Sequence, residues 1–297
     1  MSDYITDDAH GDNFRLMLGD SCERLAELGA DSVDFSVCSP PFASLYTYSP
    51  SDRDLGNCAS RGDFLEHYGF IIREQLRVTK PGRIAAVHVA DLPTTKGVHG
   101  VIGLTDFSGE VVRAFVDAGW IYHGRVTVDK DPQVQALRTK AQALMFTTLH
   151  RDSSKTRPAL PDYLLLFRKP GENAVPIRGD VDNDTWIQWA RPVWHGIRES
   201  NTLNVQVARD QADERHICPL QLDLIERCVR LWSNPGELVL SPFAGIGSEG
   251  YVALEQGRLF VGCELKPSYW RVAAANLRDA EAKASAPTLL DGLVGVA

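Results

Sequence analysis

Short apolar runs alternate with helical patterns along the whole chain. FRLML (14–18) reads as a strand closed by Gly19-Asp20, a short helix follows from Cys22 to Leu28, and VDFSVC (33–38) is a second strand. Phe64, Leu65, Tyr68, Ile71, Ile72 and Leu76 form one face of a helix over Asp63–Val78, which Lys80-Pro81-Gly82 stops. RIAAVHVA (83–90) reads as a buried strand, and Ser108 is placed to cap a helix that ends at Gly119. IYHGRVTV (121–128) and DYLLLFRK (162–169) read as two more strands. Near the other end Pro219 stands at a helix start, with Leu222, Ile225, Val229 and Trp232 as its inner face. ELVLS (237–241), a glycine-containing turn, a helix over 248–256, RLFVGCEL (258–265) and a helix through Trp270, Ala274 and Leu277 follow. Such alternation predicts an α/β fold, doubly wound about a mainly parallel sheet.

Two stretches break the rhythm. Residues 43–61 are polar and rich in turn formers, a loop long enough to suggest function. Residues 171–215 are polar, lack a period and carry Trp186, Trp189 and Trp194. The expected organisation is one catalytic half over 1–170 with a basic insertion at 129–160, then the segment 171–215. The second half of the same domain follows over 216–282, with a flexible tail at 283–297.

Composition narrows the classes. A chain of 297 residues with 44% hydrophobic and 24% charged positions can build one large core. It has no apolar run of about eighteen residues and an acidic start, so neither a membrane span nor a secretory signal is expected. The six cysteines (Cys22, Cys38, Cys58, Cys218, Cys228, Cys263) form no CxxC pair, so neither a metal site nor a disulfide framework is expected, and a cytoplasmic location fits. Net charge is −8, but Arg125 to Pro170 holds nine Lys/Arg against four Asp, a basic stretch on an acidic body. A solvated loop of mixed charge would also read this way.

The first chemical constellation spans Leu238 to Glu264. A strand leads into Ser241-Pro242-Phe243-Ala244-Gly245-Ile246-Gly247, a helix follows, and the next strand ends at Glu264. In a doubly wound sheet glycines let the backbone approach a nucleotide, the helix N-terminus faces its polar group, and the strand-end acid accepts from ribose hydroxyls. GxG in place of GxGxxG disfavours a dinucleotide. A plain structural turn would look the same.

The second is Ser39-Pro40-Pro41-Phe42, at the carboxyl end of a buried strand. Prolines fix φ and free carbonyls from sheet pairing, so the turn can present the Ser39 hydroxyl and a proline carbonyl as acceptors beside the Phe42 ring. Accepting both hydrogens of an exocyclic amino group would free its lone pair to attack a sulfonium methyl. The ring would stack on an extruded base, worth roughly 1–3 kcal/mol. A Pro-Pro strand terminator is the plainer alternative.

With both turns in this order, the chain resembles the DNA amino-methyltransferases of the permuted β group, from about Phe14 to Leu277. Ser39, Pro40, Pro41 and Phe42 match that family's catalytic turn (Ser/Asn/Asp)-Pro-Pro-(Tyr/Phe). Ser241, Pro242, Phe243, Gly245 and Gly247 match its cofactor turn, Glu264 its ribose-binding acid, and Asp20 the position that contacts the cofactor's adenine. The resemblance implies a Rossmann-like methyltransferase sheet with an inserted target-recognition region at 171–215, S-adenosylmethionine as cofactor, and double-stranded DNA as partner. It needs no metal. The enzyme would be a monomer or homodimer. Lys130, Arg138, Lys140, Arg151, Lys155 and Arg157 of the basic stretch, with Arg191 and Arg198, would meet DNA. The chain departs from the pattern at Ser241, where Asp is usual, and before Pro219, where a Lys is often found. Serine opening the catalytic turn favours N4 of cytosine. The alternatives are N6 of adenine and a non-catalytic DNA-binding protein that kept the fold.

Overall fold

The computed structural model describes residues 4–41, 53–58, 60–94, 96–139, 144–203 and 219–286. Among the described residues nine strands build the main sheet: β1 (Asp7–His10), β2 (Phe14–Leu18), β3 (Val33–Cys38), β4 (Thr79–Ala90), β7 (Ile121–Val128), β8 (Asp162–Arg168), β9 (Val193–Trp194), β10 (Leu238–Ser241) and β11 (Leu259–Glu264). Two more described strands, β5 (Leu92–Thr94) and β6 (Gly103–Thr105), form a separate hairpin. The main sheet runs in the order β1-β2-β11-β10-β3-β4-β8-β7-β9. From β2 through β11, β10 and β3 to β4 every pairing is parallel. β8 joins β4 and β7 antiparallel, and β1 closes the far edge antiparallel to β2. The expected doubly wound, mainly parallel sheet is present.

Central strands read as unbroken apolar runs because both sheet faces are covered. Along β8, Leu164 and Leu166 enter one core layer while Leu165 and Phe167 enter the other. β4 divides in the same way, with Ile84 and Ala86 against Ala85, Val87 and Val89. In β3 the register shifts between Val33 and Phe35, so Val33 faces the layer opposite Phe35 and Val37. Helices α8 (Leu222–Trp232), α9 (Ser248–Glu255) and α10 (Pro267–Ser285) cover the first layer. Helices α2 (Arg61–Val78) and α4 (Phe107–Asp117), with the short α1 (Ser21–Arg24), cover the second. The basic stretch between β7 and β8 contributes two short helices, α5 (Pro132–Thr139) and α6 (Phe146–Asp152).

Several boundaries differ from expectation. Ser60 and Asp63 form a capping box, so α2 begins at Arg61. Asp106, not Ser108, caps α4 by accepting from Gly109 N–H. α8 starts at Leu222 after Gln221, not at Pro219. The sheet absorbs Lys80-Pro81-Gly82 into the start of β4, and α10 continues to Ser285, past the expected start of the tail. β1 (DDAH) lacks alternation because it is a charged edge strand held by its ladder to β2. The β5–β6 hairpin, the short helix α3 (Lys96–His99) and β9 were also not anticipated.

The polar segment after β8 lies against the body as far as it is described. β9 pairs with β7, and Trp194, 1% exposed, stacks on Trp232 with ring centroids 6.2 Å apart. Its indole donates to the Trp189 carbonyl oxygen at 2.8 Å. Helix α7 (Asn183–Trp189) leaves Trp186 exposed. One of the three tryptophans is therefore core.

Candidate active site

β10 ends at Ser241 and the chain turns through Gly245 (φ 54°) and Gly247 (φ 88°) into α9. Both angles lie in the left-handed region that favours glycine. A Cβ at Gly247 would also come within 3.2 Å of Ala273, whereas one at Gly245 would meet nothing within 4 Å. The turn aims Gly245 N–H at Glu264 Oε2, 2.8 Å away, and Lys266 N–H donates to Oε1 at 2.8 Å. Gly19 N–H donates to the Glu264 backbone oxygen at 2.9 Å, which sets the neighbouring Asp20 at the end of β2. Asp20 caps α1 by accepting from Cys22 N–H, and Arg53 donates to its other oxygen at 3.2 Å. Ser21 ties α1 to the glycine turn through the Pro242 carbonyl.

Burial pushes the Glu264 carboxyl up to about 7, against the two backbone donors, and the charge of Asp54 adds to the rise. Glu249, in the first turn of α9 and 4% exposed, is pushed up to about 8, again mainly by burial. An acid held by backbone donors at the mouth of a glycine turn, with a second acid close by, is suited to a ligand carrying hydroxyls and positive charge.

Across the sheet β3 delivers Ser39 and β4 delivers His88. Ser39 Oγ lies 3.3 Å from His88 Nδ1 and 3.3 Å from the His88 carbonyl oxygen. His88 Nε2 lies 2.9 Å from Asp162 Oδ2, and Lys130 Nζ lies 2.7 Å from the same oxygen. Burial would raise the Asp162 carboxyl, but His88 and Lys130 outweigh it and hold it below the usual carboxylate range.

Both turns open on one cavity of about 600 Å³, a size typical of small-molecule sites. Of the expected residues, Ser39, Pro40 and Pro41 line it from one side and Asp20, Pro242, Phe243, Gly245 and Glu264 from the other. Two expected cofactor residues do not reach it. Ser241 is wholly buried at the end of β10 with no hydrogen-bond partner for its hydroxyl among the described residues, and Gly247 packs on Ala273 as the N-terminal cap of α9. Phe42 lies outside the described residues. S-adenosylmethionine fits what is present: a cavity of suitable size, an acid held by two backbone donors, and the carboxylates of Asp20, Asp54, Glu249 and Glu264 along the walls for a cationic molecule.

The expected DNA contacts divide. Lys130 is not a free cation: its side chain is 8% exposed and bound to Asp162. Arg157 is half-buried and donates to the Gly103 carbonyl oxygen. Arg198 is exposed but forks onto Asp223, whose carboxyl it holds down at about 2. Arg151 and Arg191 are exposed. The side chains of Arg138 and Lys155, and all of Lys140, lie outside the described residues.

Sequence reasoning missed Asp54, Glu249, His88 and Asp162. Glu249 sits two residues beyond the glycine turn, a signal that could have been taken. Nothing local marks the other three, since they meet the site from separate elements. The cysteines described (Cys22, Cys38, Cys58, Cys228, Cys263) are free thiols, no metal-ligating cluster occurs among the described residues, and no described helix is long and apolar enough to cross a membrane.

Fold and paired turns together define a methyltransferase-type α/β domain. A DNA methylase family model covering both N6 and N4 amino methylation matches residues 33–275, and the chain belongs to that family. It is 36% identical over 290 residues to the type II methyltransferase M.Cfr9I of Citrobacter freundii, covering 89% of this chain and 87% of the relative. In two further type II methyltransferases, of Bacillus subtilis and Moraxella bovis, the similar stretch spans only 30% and 29% of the relative. Among solved structures, a DNA modification methylase of Thermus thermophilus complexed with S-adenosyl-L-methionine superposes with TM-score 0.68 at 22% identity, covering 90% of this chain and 93% of that one. PvuII DNA methyltransferase (cytosine-N4-specific) does so with TM-score 0.63 at 18% identity, covering 92% of each.

Proposed function

We propose that the chain is an S-adenosylmethionine-dependent DNA methyltransferase that modifies the exocyclic amino group of a flipped-out base, N4 of cytosine in first place. One observation carries the reading: the Ser39 turn and the Glu264–Gly245 turn, far apart in sequence, open on the same cavity. Bound there, the cofactor supplies an electrophilic methyl group. Asp20 and Glu264 would hold its adenosine, and Ser39 with the Pro40 carbonyl would accept hydrogens from the base amino group. Cavity walls that exclude water would strengthen these contacts, and the base would reach them by leaving the duplex. The neutral hydroxyl of Ser39 supports cytosine, and the cytosine-N4-specific PvuII enzyme shares the fold. Adenine N6 is the second reading, since the matching family covers both positions. The segment 171–215 would read the target, and Arg151 and Arg191 would meet phosphates.

The test is incubation of the protein with S-adenosylmethionine and unmethylated DNA, followed by nucleoside mass spectrometry. N4-methylcytosine is expected. N6-methyladenine would overturn the base assignment, and no methylated nucleoside would overturn the activity.

A further inference from the structure

We propose that His88, Asp162 and Lys130 form a relay that orients the Ser39 hydroxyl and takes up the proton the base amino group must lose. This rests on the methyltransferase reading above.

The relay joins three elements. His88 is on β4 and 7% exposed, Asp162 opens β8, and Lys130 follows β7. Because Asp162 is held ionised it can only accept hydrogen bonds. Its oxygen 2.9 Å from Nε2 therefore fixes the proton on Nε2 and leaves the lone pair on Nδ1, which lies 3.3 Å from Ser39 Oγ. The other acceptor near the hydroxyl, the carbonyl oxygen at 3.3 Å, also belongs to His88. Both draw the hydroxyl hydrogen toward the sheet, so the lone pairs of Oγ stay available to a donor in the cavity. Lys130 Nζ, 2.7 Å from the same Asp162 oxygen, helps to keep that carboxylate ionised. Of the other titratable groups on these two strands, Cys38 ends β3 and Asp91 directly follows β4.

Proton and electron accounting fits this arrangement. The amino nitrogen forms its bond to the methyl carbon as the carbon–sulfur bond breaks, and the nitrogen becomes positively charged. One of its protons passes to Ser39 Oγ while the hydroxyl's own hydrogen moves to His88 Nδ1. The imidazolium, paired with Asp162, returns the proton to water after the product leaves. His88 acts through Ser39 and is a positioning residue.

Single-turnover transfer of tritiated methyl to unmethylated phage DNA of mixed sequence, followed from about pH 5 to about pH 9, tests the relay. Cofactor affinity and melting temperature are measured alongside. The wild type should lose activity toward low pH with the slope of one proton. His88→Gln keeps a polar side chain that cannot take a proton. It should transfer roughly a hundredfold more slowly, without that acid limb and with cofactor affinity unchanged. Asp162→Asn should also be slow, because the imidazole loses the anion that fixes its tautomer. A wild type without the acid limb would overturn the relay even if the variants fail to fold. So would folded His88→Gln with the wild-type rate and profile. A wild type that methylates no DNA would overturn the functional reading itself.

Discussion

The two walls of the cavity hold their polar groups by different means. On the β10–β11 side the backbone does the holding: Glu264 is gripped by the N–H groups of Gly245 and Lys266. On the β3–β4 side, side chains do it: Ser39 leans on His88, which leans on Asp162, which leans on Lys130. A backbone-held acid is fixed wherever the sheet forms, and suits a ligand that is the same in every turnover. A side-chain chain can shift a proton, which suits the wall where the proposed reaction would form its bond to nitrogen.

The sharpest break in this comparison is Ser39→Ala. Removing the hydroxyl proposed to accept from the base should slow methyl transfer about 10²- to 10³-fold, with cofactor affinity unchanged by calorimetry. The mirror experiment is Glu264→Ala, which should weaken cofactor binding about ten- to a hundredfold, from charged hydrogen bonds of roughly 1.5–3 kcal/mol. If either variant produced the other's signature, the division between the walls would fail.

A smaller effect comes from pH. Glu264 and Glu249 rise from an ordinary 4.5 to about 7 and about 8 in the fold. A raised carboxyl binds more protons folded than unfolded, so its stability contribution is full below about 4.5 and is lost as pH rises through about 7 to 8. The cofactor-free protein should melt at a lower temperature at pH 8 than at pH 5 on this account. Cationic cofactor favours the ionised acids, so the stabilisation it gives should be larger at the higher pH. Equal shifts at both pH values would contradict the assignment of these acids to the cofactor wall. The smallest effect belongs to Arg151→Ala and Arg191→Ala. Each should weaken DNA binding a few-fold and reduce the log–log salt slope by about one, leaving methyl transfer at saturation intact.

The same contrast explains what the sequence disclosed. The glycine turn and its acid lie in one strand–turn–helix–strand unit, where spacing alone carries the geometry. The buried strands were legible because a sheet covered on both faces demands apolar runs. Edge strands were not: β1 is all charge, alanine and histidine, and β9 is two residues seated by the Trp194 ring. His88, Asp162 and Lys130 are separated by whole elements, so only the folded sheet reveals them as one unit. Lys130 shows the cost of counting charge without partners, since a lysine from the basic stretch turned out to be buried against an aspartate. Ser241 and Gly247 show that a motif position can shape a turn without lining the cavity the turn opens on.

The most direct test runs wild type and Ser39→Ala side by side with S-adenosylmethionine and unmethylated DNA, reading cofactor binding by calorimetry and methylated nucleosides by mass spectrometry. Equal cofactor affinity is expected for both proteins, with N4-methylcytosine from the wild type and a residue of it near background from the variant. Methylated base from Ser39→Ala at the wild-type rate would contradict it.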